Sequence, residues 1–313
     1  MTVTPWIAVA VVIAIFLTAA PSRGELPGNY YLFTSFRDNG QDGLHLAYST
    51  DGYHFTALKN DKSFLKPQVG KEKLMRDPCI TIGRDGTYHM VWTDSWTDRT
   101  IGYAHSKDLI TWSEQKAIPV MMHEPTARNC WAPEIVYDET KKHFLIFWAT
   151  TIPDRFAQTD GSSETKYNHR IYSTTTTDFE TFTPTKLYFD PGFNVIDSTL
   201  FLDGNRVLMF FKDETLKPVK KYLQFAEASS VDGPFKNISE PISSSWVEGP
   251  TVARVGEHVV VYFDCYRDHH YGAVRTKDFK TWEDVTNKVE FPKGTRHGTI
   301  LPVSKSVIET LMK

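Results

Sequence analysis

Short apolar runs separated by polar turns recur along the chain, and sustained 3.6-residue periodicity of globular-helix length is missing beyond its N-terminal segment. Only a short turn near residues 71–75 interrupts this pattern. Runs such as Ile101-Gly-Tyr-Ala-His-Ser106 and Tyr271-Gly-Ala-Val-Arg-Thr276 read as strands leading into a polar turn closed by an aromatic residue. The turns repeat as Asp108-Leu-Ile-Thr-Trp112, Asp178-Phe-Glu-Thr-Phe182 and Asp278-Phe-Lys-Thr-Trp282. Looser versions stand at Ser49-Thr-Asp-Gly-Tyr-His-Phe55 and Val231-Asp-Gly-Pro-Phe235. Strand, turn and aromatic together suit the outer hairpin of a propeller blade.

Ahead of these hairpins lie candidate inner strands that begin on a polar residue, often next to Pro. They are Asp77-Pro-Cys-Ile-Thr-Ile82, Trp131-Ala-Pro-Glu-Ile-Val-Tyr137, Ile196-Asp-Ser-Thr-Leu-Phe201, Glu248-Gly-Pro-Thr-Val-Ala253 and His297-Gly-Thr-Ile-Leu301. Their starts lie roughly 50 to 65 residues apart, a repeat length that implies stacked blades, since one small sheet cannot bury its own apolar faces. The expected fold is an all-β, five-bladed β-propeller. Its ring is closed by the N-terminal strands around Tyr30–Ser35, Leu44–Ser49 and Phe55–Leu58, which join the C-terminal inner strand to complete the fifth blade. Residues 151–168 read as an inserted loop, either surface decoration or the rim of a binding cleft.

The uncharged apolar run of residues 6–20 is followed by Pro21, Ser22, Arg23 and Gly24, the pattern of an export signal, and is short for a bilayer span. The expected organisation is therefore a signal over residues 1–24 and a catalytic propeller over residues 25–313, secreted or periplasmic. Cys79, Cys130 and Cys265 are too few and scattered for a disulfide framework or a metal site and read as buried small hydrophobes. The 35 Lys and Arg nearly balance 38 Asp and Glu, which removes any broad attraction to nucleic acid. A monomer is expected.

A propeller gathers the starts of its inner strands around one mouth, so Asp77, Glu134, Asp197, Glu248 and His297 converge although far apart in sequence. Such a ring serves either structure or catalysis, and chemistry selects among its members. Glycosidic hydrolysis needs one carboxylic acid to protonate the leaving oxygen and one carboxylate to activate water or attack the sugar. Asp77 is the candidate base, Glu248 the candidate acid, and Asp197 a neighbour that tunes Glu248 by like-charge repulsion. Glu134 either binds sugar hydroxyls or accepts a structural hydrogen bond. His297 orders the axis by hydrogen bonding, binds a metal, or is simply buried. Arg296 orients a carboxylate or a hydroxyl, or forms a salt bridge at the blade junction. Trp92, Trp96, Trp131, Trp148, Phe193 and Trp246 are expected near the mouth, any one of them as readily core as sugar platform, with Trp131 favoured as a site residue. Arg76, Arg128 and Asn129 are candidate hydroxyl contacts.

At these residues the chain resembles glycoside hydrolase family 43, over nearly all of its length after the apolar segment. The resemblance implies that Asp77 is the base, that Asp197 in Ile196-Asp-Ser orients substrate and tunes the acid, and that Glu248 in Glu-Gly-Pro is the acid. Trp131-Ala-Pro133 and His297 also match the family pattern. Asp197-Ser198 departs from the frequent Asp-Pro, and Glu134 adds an acid after Trp-Ala-Pro. These features, with the extended N-terminal hairpin, resemble a branch that includes arabinofuranosidases and galactofuranosidases. The implied activity is an inverting, exo-acting α-L-arabinofuranosidase on plant or microbial poly- or oligosaccharides. The alternatives are a β-D-galactofuranosidase, a β-xylosidase, a galactan-active enzyme or a non-catalytic carbohydrate-binding propeller. No cofactor is required on this reading; family-wide, a structural calcium sometimes occupies the axis.

Overall fold

The computed structural model describes Met1, residues 30–162 and residues 166–313; the segment read as an export signal lies outside the described residues. Five antiparallel sheets form the ring. The first blade comprises Arg76–Ile82, Tyr88–Thr93, Ile101–Ser106 and Lys116–Ile118, and the second Trp131–Asp138, His143–Thr151, His169–Thr176 and Lys186–Phe189. Val195–Asp203, Arg206–Asp213 and Leu223–Ala228 make the third, where a lone bridge between Glu227 and Lys236 stands in place of an outermost strand. Glu248–Val255, His258–Cys265, His270–Thr276 and Glu283–Asp284 make the fourth.

The last blade joins the two ends of the chain, as expected. Tyr30–Ser35 runs antiparallel to Ile300–Val303, with Tyr30 opposite Val303 and Phe33 opposite Ile300, and then to His45–Ser49, which pairs with Thr56–Ala57. This innermost strand begins at Ile300, later than the expected His297. Residues 297–299 press instead against the neighbouring backbone, where a Cβ on Gly298 would lie 1.6 Å from the Thr34 carbonyl oxygen. One helix was not anticipated: Lys305–Leu311 spans only two turns, too few for its period to stand out, and buries Ile308 and Leu311 beside the closing strands.

The repeated Asp turns have a shared cause. Asp108, Asp178 and Asp278 each accept two backbone N–H bonds from the residues two and three positions on, at 2.7–2.9 Å. The Ser106, Thr176 and Thr276 hydroxyls accept the N–H of Leu109, Phe179 and Phe279, which lets those residues turn left-handed at φ 58–63°. The repeat is thus a structural turn, and its aspartates are not candidates for chemistry.

Blade-to-blade contacts are apolar and aromatic. Trp92 and Trp148, expected near the mouth, are fully buried between blades because each points from a second strand into a neighbouring sheet. Trp92 lies flat across Gly102, where a Cβ would come within 2.0 Å of the indole. Gly102→Ala is therefore expected to cost about 1–3 kcal/mol through overpacking, read as a lowered midpoint in thermal or urea denaturation; an unchanged midpoint would show that the indole can move aside.

Candidate active site

Four inner strands open on the mouth with the same bulge. Their register slips between Arg76 and Cys79, Trp131 and Glu134, Ile196 and Thr199, and Glu248 and Thr251. The first bulged residue is left-handed in every case: Asp77 at φ 53°, Ala132 at 45°, Asp197 at 52° and Gly249 at 58°. Bulges re-aim side chains, and Asp tolerates the left-handed region better than most residues. Asp77 and Asp197 thus share one structural position, Glu248 stands one residue before it, and Glu134 two residues after it.

That offset sorts the acids. Asp77, Asp197 and Glu248 line one pocket of about 130 Å³ with Arg76, Trp131 and His297, and Thr93, Trp96, Ile196 and Glu214 complete its walls. Glu134 is absent from this wall. It lies deeper on the axis, buried, accepting hydrogen bonds from Thr199 at 2.9 Å and Thr299 at 3.4 Å. Of the two readings of Glu134, sugar contact or structural acceptor, its place off the pocket wall fits the second: two positions beyond the bulge, its carboxylate joins the second and third inner strands to the segment that leads into Ile300–Val303. Burial pushes it up to about 7.

His297 occupies the centre. Its Nδ1 is 3.3 Å from Asp77 Oδ1 and 3.9 Å from Asp197 Oδ2, and its ring lies so close to Gly249 that a Cβ there would be 2.3 Å from Cγ. Glycine is required at 249 by both this approach and the positive φ. Burial opposes a charged imidazole, but the Asp77 and Asp197 carboxylates outweigh it and raise His297 to about 9. Burial likewise opposes ionised Asp77, yet His297, helped by Arg76 and by a 2.8 Å hydrogen bond from Thr93, lowers it to about 2. Asp197 goes the other way: burial, joined by the Glu248 charge, pushes it up to about 6 against the pull of His297. Its Oδ2 accepts the Gly249 N–H at 3.0 Å and so fixes the turn that carries Glu248.

Glu248 is gripped on both oxygens. Arg296 lies 3.3 Å from Oε1 and Lys212 3.2 Å from Oε2, while Arg296 also meets the buried Asp264 at 2.7 Å. Arg296 thus forms ion pairs between the closing segment and the fourth blade, one of them on Glu248, and is not part of the pocket wall. Trp96 and Trp131 meet edge to face at 5.5 Å, the Trp131 indole N–H donates to the Trp96 carbonyl at 2.9 Å, and Arg76 stacks on Trp96 at 4.2 Å. This braced corner gives the pocket a flat apolar wall.

Other expected contacts fall elsewhere. Asn129 is fully buried and bonds the Ala149 carbonyl and the Thr151 N–H, so it holds backbone and cannot reach a ligand. Arg128 lies outside the pocket, on Tyr167, donating to the Lys166 carbonyl at 3.0 Å. Phe193 and Trp246 sit beneath Lys220 and Arg267, outside the pocket wall. Three charged participants escaped the sequence reading: Lys212, Glu214 and Asp264. Lys212 and Asp264 lie at the returning ends of second strands and Glu214 just beyond one, and a charge directly after an apolar run, as in Val207–Phe211 then Lys212, was the available signal.

Calcium takes six to eight oxygen ligands, and at the axis the Asp77 and Asp197 carboxylates face His297 Nδ1 at 3.3 and 3.9 Å. Among the described residues no three His, Cys, Asp or Glu side chains gather as a metal site.

The Asp77–His297 pair predicts a pH window. The Asp77 share of its stabilisation is present above the unfolded value of 3.8 and lost as pH falls through about 2. The His297 share is full below 6.5 and lost as pH rises through about 9. The two shifts describe one pair of about 2–3 kcal/mol. Asp77→Asn should therefore be less stable than wild type by that amount near about pH 6, with the gap narrowing towards about pH 10. Denaturant titrations across this range check it, and a gap independent of pH would refute the pairing.

Residues 27–309 match a family model for glycosyl hydrolase 43-related domains, described as "Probable glycosyl hydrolase domain". The α-L-arabinofuranosidase of Bifidobacterium longum is 24% identical over 188 residues, a match that spans 52% of this chain and 17% of that protein. The fold is similar to the crystal structure of a thermostable family-43 glycoside hydrolase, with a TM-score of 0.56 and 16% identity over 71% of this chain and 78% of that one. An α-L-arabinofuranosidase from Lactobacillus brevis superimposes with a TM-score of 0.53 and 16% identity over 68% of this chain and 72% of its own.

Proposed function

The chain belongs to the glycosyl hydrolase 43-related family, and on that premise we propose that it is an exo-acting, inverting glycosidase that removes terminal α-L-arabinofuranosyl residues from poly- or oligosaccharides. The observation that carries this reading is the meeting of Asp77, Asp197 and Glu248, each from a different blade, in one pocket with His297 at its centre. At about 130 Å³ the pocket is small beside the 300–1,000 Å³ or so of drug-sized ligand sites. That size suits a single terminal sugar ring against the Trp96–Trp131 wall.

The chemistry follows from the roles. The Asp77 carboxylate, kept ionised by His297, takes a proton from water as the water oxygen bonds to the anomeric carbon. The bond from that carbon to the leaving oxygen breaks, and the leaving oxygen takes the proton of the Glu248 carboxyl group. Asp77 ends protonated and Glu248 ionised, and exchange with solvent resets both. Asp197 holds the Gly249 amide and thereby aims Glu248. The arabinofuranosyl preference is supported by the curated relative and by the branch features at Asp197-Ser198 and Glu134.

Matched α-L-arabinofuranoside, β-D-galactofuranoside and β-D-xyloside substrates test this. Turnover is expected on the first, with the product anomer inverted when followed by NMR. Glu248→Gln and Asp77→Asn should each lower kcat by about 10²- to 10⁴-fold. Folded wild-type protein with no turnover on any terminal glycoside would overturn the glycosidase reading, and preference for another sugar would overturn only the arabinofuranosyl assignment.

A further inference from the structure

A second carboxylate network backs the pocket wall. Glu214 lines the pocket beside Glu248, on the loop that follows Arg206–Asp213. Its amide donates to the Asn194 carbonyl at 2.8 Å, and its side chain meets Lys212 at 2.8 Å and also Lys221. Both lysines are about 1% exposed, so the protein has buried two ammonium groups here, both paired with Glu214 and Lys212 also with Glu248. Burying an ammonium costs several kcal/mol unless it is paired, so a purely apolar wall would have been the simpler construction here. The loop is clasped further by Lys220 on the buried Asp213 at 3.1 Å.

The lysines cover Glu214 from the protein side and its Oε2 is buried, while the side chain as a whole keeps 16% exposure and lines the pocket. Burial opposes its charge, but Lys212 and Lys221 outweigh burial and hold it below the usual carboxylate range. An ionised carboxylate only accepts hydrogen bonds, with about four lone-pair sites. Its two lysine partners leave acceptor capacity free.

We propose that Glu214 is a sugar-recognition residue: its carboxylate accepts a hydrogen bond from a ring hydroxyl of the sugar bound beside Glu248. The assignment rests on the glycosidase reading above. It makes the wall selective for neutral, hydroxyl-bearing rings, because a carboxylate-bearing sugar would meet like charge here. Lys212 contacts Glu214 and Glu248 together, at 2.8 and 3.2 Å, so the group that recognises the ring and the acid that protonates its leaving oxygen are set by one cation.

The test crosses residue deletion with substrate deletion. The glycoside that wild type hydrolyses is compared with analogues in which each ring hydroxyl is replaced in turn by hydrogen, using wild type and Glu214→Gln. A hydrogen bond to a charged group predicts that one deoxy analogue loses about 10- to 100-fold in kcat/KM with wild type. The same analogue should lose little more with Glu214→Gln, while the other deoxy penalties persist. Equal losses by the variant on every analogue, or none, would overturn the assignment and leave Glu214 as a partner for buried lysines. Should the amide variant fail to fold, Glu214→Asp keeps the charge for both lysines, withdraws it from the pocket, and carries the same comparison. Wild type inactive on all terminal glycosides overturns the glycosidase reading and this assignment with it; an active wild type with uniform losses overturns this assignment alone.

Discussion

Antiparallel pairing of Tyr30–Ser35 with Ile300–Val303 joins the two ends of the chain, and the rest of the architecture rests on that junction. Without it the first and fourth blades would each expose a face, since Phe33, Phe55, Tyr271 and Phe291 form one aromatic cluster only when the closing blade is in place. The same junction delivers chemistry. Arg296 and His297 immediately precede the final strand, so closing the ring carries them to Glu248 and Asp77. A propeller closed elsewhere would keep its blades yet leave Asp77 without His297 and Glu248 without Arg296.

Charge at the centre is arranged so that neighbouring carboxylates differ. Asp77 has the imidazolium at 3.3 Å and a Thr93 hydroxyl at 2.8 Å, which favour its ionised form. Asp197, in the equivalent position two blades away, is farther from the imidazolium, and burial together with the Glu248 charge favours its protonated form. Identical side chains in identical backbone conformations thus acquire opposite tendencies from their surroundings. Below them, Glu134 bonds to Thr199 and Thr299, the residues two beyond Asp197 and His297, so one buried carboxylate holds the footing of both.

The balance extends outward. Arg296, Lys212 and Lys221 are shared among Glu248, Glu214 and Asp264, and each of the three has a carboxylate partner. Removing a single member would strand its partner in a dry environment, which is costlier than losing the attraction itself. This explains why the returning ends of the third and fourth blades carry charge directly after their most apolar stretches.

Much of this was legible from residues alone. The Asp108, Asp178 and Asp278 turns recur because their hydrogen bonds are local, made within three residues, so sequence spacing records them directly. The inner strands and ring closure followed from counting those repeats, and Asp77, Asp197, Glu248 and His297 followed from standing at strand starts. What spacing could not convey was depth along the axis. Glu134 also stands near a strand start, yet two residues past the bulge it points below the pocket, and only the register of Trp131 and Glu134 against Ala149 and Phe147 reveals this. Nor could it show that Trp92 and Trp148 are core, or that Glu214 reaches the pocket with Lys212 behind it, because those placements arise where one blade packs on the next. Local hydrogen bonding and repeat length are written into the sequence; which side chains meet across blades is decided only when the ring closes and fixes every register at once.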